Sequence, residues 1–340
     1  MDSITQIVLG AAFGEVVLGK KIGNRALLFG AIGGTIPDLD VFVGKLLFHN
    51  EIDAMAFHRG FMHSFLFAIL ASIGFGLLVF WLYNRGKRYG MTTKKDWIWL
   101  FFASIFTHPI LDSFTAYGTQ LFAPFSNYRV AFNNIAVADP MYTLPFLIAL
   151  IIMMCFKRTS TKRRLFLQIG LGVSSLYMLL TFVNKYHVNN VYKQALADER
   201  IDYLRFQTQP TILNNILWYG IAETTDAYYM GFYSILDSEP TIKKWHKLPK
   251  NHELIEGMPK DLETLAWFSD GYYNLNPMDK SDTFLFKDLR YPLMDESDPN
   301  SSIFKFTITK SNDRWEAAPF YVSDINEGAR AAFWARLKGI

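Results

Sequence analysis

Two uncharged runs, Phe65–Tyr83 and Leu165–Val183, constrain this chain more than any other feature, and each is 19 residues long. Wound into an α-helix at 1.5 Å per residue, each reaches about 28 Å, close to a bilayer hydrocarbon core of about 30 Å. Two further apolar segments, Trp97–Phe114 and Pro140–Phe156, are nearly as long. Two shorter ones, Ile4–Gly19 and Ala26–Pro37, come first and are rich in Gly and Ala, which suits close helix packing. All six precede residue 184. The sequence therefore predicts an α-helical polytopic membrane domain over 1–184, followed by an α+β water-soluble domain over 185–340.

Charge divides at the same place. Residues 1–184 hold 16 Lys and Arg against nine Asp and Glu, while residues 185–340 hold 18 against 22. A purely soluble, disordered or disulfide-stapled chain is excluded, since the lone Cys155 sits in an apolar run and has no internal partner. The net charge of +3 is too small to point to nucleic acid, and the bilayer is the expected partner. The N-terminus does not read as a signal peptide: Asp2 stands where basic residues belong, and no small-residue cleavage site follows.

Basic residues cluster in three connections, Lys20–Arg25, Asn84–Lys95 and Lys157–Arg164. By the positive-inside rule these are cytoplasmic, and strict alternation places Asp38–Met62, Thr115–Asp139 and everything after Asn184 outside. In the C-terminal half, Ser302–Lys310 alternates, with Phe304, Phe306 and Ile308 on one face, as in a half-buried strand. Thr283–Tyr291 and Trp218–Ile235 also read as strands, and Asn274–Asp282 and Pro292–Ser301 as loops. Asp324 and Glu327 make a capping spacing before a terminal helix, Ala329–Leu337.

Histidine and acidic residues are scarce in the membrane half, so their placement is informative. Asp38 and Asp40 follow the second apolar segment, His58 and His63 precede the third, His108 and Asp112 close the fourth, and Asp139 opens the fifth. The topology drawn from Lys and Arg alone brings all of them to the outer face. Ionisable groups at membrane depth need partners, and imidazole with carboxylate suits a divalent metal, with zinc the expected ion. His108 and Asp112, four apart on a helix, can reach one ion. Of His58 and His63, five apart, one belongs to the lead-in loop, and of Asp38 and Asp40 only one need ligate. A hydrogen-bonded polar cluster or a proton path is the competing reading. His187, His246 and His252 are isolated and read as solvated or structural. Ser64 lacks a nucleophile-elbow context. Arg59 reads equally as a phosphate clamp or an interface anchor.

The boxes Met1-Asp2-Ser3-Ile4-Thr5, Pro37-Asp38-Leu39-Asp40, His58-Arg59-Gly60…His63-Ser64, His108-Pro109-Ile110-Leu111-Asp112, Thr115…Gly118 and Pro124-Phe125-Ser126 occur in order. Over roughly residues 1–160 the chain thereby resembles the LexA-regulated, membrane-bound metal-dependent hydrolases of bacterial inner membranes. More distantly, His108-x-x-x-Asp112 is similar to the His-x-x-x-Asp element of zinc-dependent phospholipase C and single-strand nucleases. The resemblance implies a multi-pass inner-membrane protein with metal ligands among Asp38, His58, His63, His108 and Asp112. Gln6 stands where the hydrolases have His, and as a weak zinc donor it implies one ion rather than two.

Two functions follow as expectations. The first is a hydrolase at the outer face acting on an amphiphilic phosphodiester or phospholipid-like substrate, with Asp40 or Asp139 as general base and Arg59 offsetting phosphate charge. The second is a non-enzymatic carrier, or a scaffold presenting the C-terminal domain.

Overall fold

The computed structural model describes residues 1–257, 259–280, 282–291, 302, 304–311, 314–320 and 327–340. They form two units. The first comprises Met1–Val43, Phe57–Phe182 and Ile212–Asn214, and the second Gly44–Ala56, Val183–Thr211 and Asn215–Ile340.

The N-terminal half is helical: α1 (Ser3–Ile22), α2 (Asn24–Thr35), α3 (Asp40–Leu47), α4 (Glu51–Phe57), α5 (Phe65–Tyr83), α6 (Lys94–Asp112), α7 (Pro140–Met154) and the long α8 (Thr161–Asp198). Local chemistry sets the ends. Asp2 caps α1 by accepting the Thr5 N–H at 3.1 Å, and Ser64 caps α5 by accepting from Phe67 N at 3.0 Å. Thr93 and Asp96 make a reciprocal capping box on α6. Pro37 has no N–H to continue α2, and the chain bends by 43° between Asn24–Thr35 and Pro37–Leu47.

Backbone contact between α1 and α2 explains their glycines. A Cβ on Gly30 would lie 2.3 Å from the Gly10 carbonyl oxygen, and one on Gly14 would lie 2.2 Å from that of Ala26. Only glycine lets the two helices come this close, which is how small-residue faces hold helices together in lipid. Around this pair, one core gathers Val8, Leu27, Leu111, Phe146 and Met153, and another gathers Leu18, Ala26, Trp97, Phe101 and Ile105.

Among the described residues three helices, α1, α5 and α8, are long and apolar enough to cross a membrane. The bent pair makes a fourth if counted as one span, and α7 is shorter at 15 residues. The expected Trp97–Phe114 segment lies in α6, which is not among them. Its first turn carries Lys94, Lys95 and Asp96, and its apolar stretch is interrupted by Ser104, Thr107 and His108.

The second unit holds two four-stranded antiparallel sheets. One has the order β1 (Arg205–Pro210), β2 (Leu217–Glu223), β3 (Ala227–Ser234), β4 (His246–Pro249). The other has the order β5 (Tyr273–Pro277), β6 (Thr283–Asp288), β7 (Lys305–Ser311), β8 (Arg314–Pro319). With α9 (Lys260–Phe268) and α10 (Glu327–Leu337) this is the α+β half. Trp218–Ile235 forms a two-stranded hairpin: the Ala227 N–H donates to Thr224 Oγ1 at 3.1 Å and the Ala227 carbonyl accepts the Thr224 N–H at 2.9 Å, closing the turn. Asn274–Asp282, a loop by composition, begins instead with β5. Asn274 pairs opposite Lys287, and Tyr273 and Leu275 enter the core with Phe286 and Ile308. Pairing and burial there override a weak local strand preference. Phe306 and Ile308 of the alternating strand are buried as expected. The loop at 292–301, Ile303 and the Asp324 end of the capping spacing lie outside the described residues. Gly44–Ala56 joins the second unit because Ile52 is buried with Ile255, Leu262 and Leu265.

Candidate metal centre

Three segments of the first unit converge on one buried group of four residues, Asp38, His63, His108 and Asp112, whose donor atoms all lie within 4.8 Å of one another. Asp38 comes from the single 3₁₀ turn Pro37–Leu39 that follows the break in α2. His63 ends the 3₁₀ turn Phe61–His63, one residue before the Ser64 cap of α5. His108 and Asp112 share one face of the last turn of α6. His63, His108 and Asp112 are almost wholly buried, whereas the Asp38 side chain is 26% exposed and forms the open edge.

Five of the six separations are close to uniform, and the sixth, between the Asp38 and Asp112 carboxylates, is within 4.8 Å. His63 Nε2 lies 3.1 Å from His108 Nε2, and each of these nitrogens lies 3.4 Å from Asp38 Oδ1. Asp112 Oδ2 is 3.5 Å from His63 Nε2 and 3.7 Å from His108 Nε2. In a regular tetrahedron the centre stands about 0.61 of an edge from each corner. The five edges of 3.1–3.7 Å correspond to a centre about 1.9–2.3 Å from the donors, near zinc–nitrogen and zinc–carboxylate bond lengths.

The other ring nitrogens explain why these lone pairs face inward. His108 Nδ1 is 2.6 Å from the Gly34 carbonyl, which can only accept, so Nδ1 carries the proton and Nε2 is left as a base. His63 Nδ1 lies 3.0 Å from Asp40 Oδ2, so this nitrogen faces a carboxylate while Nε2 faces the group. Two imidazole nitrogens and two carboxylate oxygens thus point at one volume. A single shared proton would satisfy the 3.1 Å contact alone; a cation satisfies all four donors. The residues present therefore fit a divalent metal, and the donor set of two imidazoles and two carboxylates is one that zinc accepts.

Asp40 is fully buried and stands behind the group rather than in it. Its Oδ1 is bonded to His58 Nδ1 at 2.8 Å, and its Oδ2 accepts the Arg59 N–H at 2.9 Å and faces His63. Arg59 has φ of +59°, a left-handed turn rare for a long side chain. That turn directs its N–H to Asp40 while its guanidinium reaches the cluster. Nε pairs with Asp112 Oδ2 at 2.9 Å, Nη1 donates to Thr115 Oγ1 at 2.9 Å, and the group lies 4.6 Å over the Tyr117 ring. Gln6 donates from Nε2 to Asp112 Oδ1 at 2.7 Å, as the Met1 amino group also does, so Oδ2 is left for the cluster.

Of the residues singled out in the sequence, His58 stands outside the four-donor group, held on Asp40. Asp139 caps α7 instead, accepting the Met141 N–H at 3.0 Å and the Tyr177 hydroxyl at 2.8 Å. Sequence reasoning missed the Gly34 carbonyl and Tyr117. A main-chain oxygen carries no residue signature, while Tyr117 sits inside the Thr115…Gly118 box and was within reach.

No solved structure matches the chain. The uncharacterized protein YfhP of Bacillus subtilis (strain 168) is 25% identical over 242 residues, covering 68% of each chain. Residues 1–188, which contain every residue of the cluster, match the YdjM inner membrane protein family. With this match over more than half its length, and helices able to span a bilayer, the chain is a membrane protein belonging to the YdjM inner membrane protein family.

Proposed function

We propose that this protein is an integral-membrane, metal-dependent hydrolase whose centre opens at the outer membrane face onto an amphiphilic phosphodiester or phospholipid-like substrate. The observation that carries the reading is the inward convergence of two imidazole nitrogens and two carboxylate oxygens on one volume. Asp38, His63, His108 and Asp112 would hold the ion. Once bound, an ion of the zinc type supplies Lewis acidity, bringing the pKa of a water toward about 7 and polarising a scissile bond.

The chain's own residues do the rest. Asp40 has both oxygens engaged, so its role is to orient His63 rather than to take a proton, a second-layer contact of the kind that fixes ligand geometry. Asp139 is occupied elsewhere. Asp38 is the part-exposed member of the group, and its second carboxylate oxygen would accept a proton from water. Arg59 holds Asp112 in place and sets a positive charge beside the volume a phosphate would enter. The cluster sits where α2 ends, α5 begins and α6 ends, a depth that suits a lipid headgroup. Basic connections at the other ends of these helices support an outer-face site, with residues 185–340 as an extracytoplasmic domain.

The burial of three of the four donors favours one second reading, a structural ion in a non-enzymatic carrier or scaffold. Metal analysis of the purified full-length protein, with a phosphodiester and lipid hydrolysis screen, separates the two. The hydrolase reading expects one ion per chain, turnover in the screen, and loss of both in His108→Ala but not His246→Ala. A bound ion without turnover supports the structural reading. Full occupancy in folded His108→Ala refutes the ligand set.

A further inference from the structure

At the end of α1 away from Gln6, about 24 Å along the helix axis, a cleft of 360 Å³ opens between the α1–α2 turn and the α7–α8 connection. Three of its lining residues are arginines, Arg25, Arg158 and Arg163, joined by Asn24 and by the apolar wall of Ile22 and Phe156. Arg163 is the buried floor, with four of its five N–H donors engaged. Its Nε and Nη2 hold Glu15 at 2.7 and 2.6 Å, and its Nη1 donates to Asn24 Oδ1 at 2.7 Å and to the Phe156 carbonyl at 3.0 Å. Glu15 is thereby spent on Arg163.

Arg25 and Arg158 differ. Both are exposed, and among the described residues neither is ion-paired. Arg158 donates through Nη1 to the Lys21 carbonyl, and Arg25 makes one long 3.4 Å contact to the Tyr83 hydroxyl. A guanidinium has five N–H donors in a planar fork matched to phosphate oxygens, so both keep most of theirs for a ligand. The cleft lining holds no carboxylate, Glu15 is bound to Arg163 and Asp96 to Lys21, and the donors adjoin an apolar wall at the ends of helices of membrane length. A free anion would use the donors alone; an amphiphile uses the wall as well.

We propose that this cleft binds the phosphate of an anionic lipid headgroup. The site is distinct from the His/Asp cluster and does not depend on how that cluster is read. Basic pockets between helix ends are suited to such headgroups, and each arginine near an anionic surface contributes about fivefold in binding.

The test uses the full chain in detergent micelles doped with either phosphatidylglycerol or phosphatidylcholine, with retained lipid counted by native mass spectrometry. The expected result is retention of phosphatidylglycerol over phosphatidylcholine, weakened about 25-fold in the Arg25→Gln/Arg158→Gln variant. The Lys20→Gln/Lys157→Gln variant, which removes equal charge from the same end without touching the cleft, keeps the preference. Thermal unfolding midpoints verify that both variants fold, which the lack of ion pairs at Arg25 and Arg158 favours. Equal loss in the two variants reduces the effect to general surface charge and overturns the proposal, as does undiminished retention in the arginine variant. Inorganic phosphate titrated into lipid-free micelles provides the other arm: tight binding there without preference between the two lipids overturns the lipid assignment in favour of a free anion.

Discussion

Asp40 offers the sharpest test of how the centre is built, because it touches no proposed donor volume yet determines which way one imidazole faces. Its Oδ2 lies 3.0 Å from His63 Nδ1 and its Oδ1 2.8 Å from His58 Nδ1. Asp40→Asn keeps the shape: an amide oxygen still accepts from Arg59 N–H and His63 Nδ1, while the amide nitrogen donates to His58. Only the charge that raises imidazole basicity is removed. Asp40→Ala removes the contact as well and frees His63 to turn its proton inward. Loss of such a partner costs about 10- to 100-fold in metal affinity, roughly 1.4–2.8 kcal/mol. Asp40→Asn is expected near the lower figure and Asp40→Ala near the upper. His58→Ala, which empties only the outer oxygen of Asp40, is expected to stay within about twofold of the unaltered protein. Competition of the full-length protein with a chromophoric zinc chelator reads all three. Native affinity in folded Asp40→Ala, or an equal loss in His58→Ala, would refute the reasoning.

Three further outcomes are expected. Gly30→Ala sets a Cβ 2.3 Å from the Gly10 oxygen and forces α1 and α2 apart at a cost of about 1–3 kcal/mol, whereas Gly172→Ala, which meets nothing within 4 Å, is neutral or stabilising; thermal unfolding in detergent shows whether the two differ in sign. In a Cys155→Ala background, cysteines at Ser126 and Lys280 react with an impermeant thiol reagent on intact cells and one at Thr159 does not, and the reverse pattern would invert the topology. Burial raises the Asp237 carboxyl, but two Arg336 bonds of 2.7 Å and the Ser234 N–H outweigh it and hold it below the ordinary carboxylate value. A depressed carboxylate stabilises fully above the unfolded pKa of about 3.9 and loses that contribution as pH falls through its lower folded value. The protection factor of α10 amides, that is, the intrinsic pH-dependent exchange rate divided by the observed rate, is therefore expected to stay flat from pH 7 to about 5 and fall below about pH 4, with the acid sensitivity weakened in Asp237→Asn.

Much of this protein is decided by short-range pattern. A run such as Phe65–Tyr83 becomes a helix able to span a bilayer whatever surrounds it, because hydrocarbon demands that each backbone group be bonded within its own segment. His108 and Asp112 share a face because 3.6 residues per turn puts positions four apart together. Ser64 and Asp139 act as caps through side-chain oxygens three and two residues from the N–H groups they accept. The sequence alone therefore carried the helical half, the α+β half and the residue types of the centre. It did not separate Asp38 from Asp40 or His63 from His58. Each choice depends on the rotation of a short 3₁₀ turn, and that is set by what packs against it. The contact of α1 with α2 through Gly10, Gly14 and Gly30 fixes where the Gly34 carbonyl meets His108, and a main-chain oxygen leaves no trace in residue identity. Asp139, at the same expected depth, was drawn away by Tyr177, a residue 38 positions later. β5 likewise exists because β6 lies beside it. Pairings between distant segments depend on three-dimensional register, and a linear pattern holds only the near-neighbour part of that information.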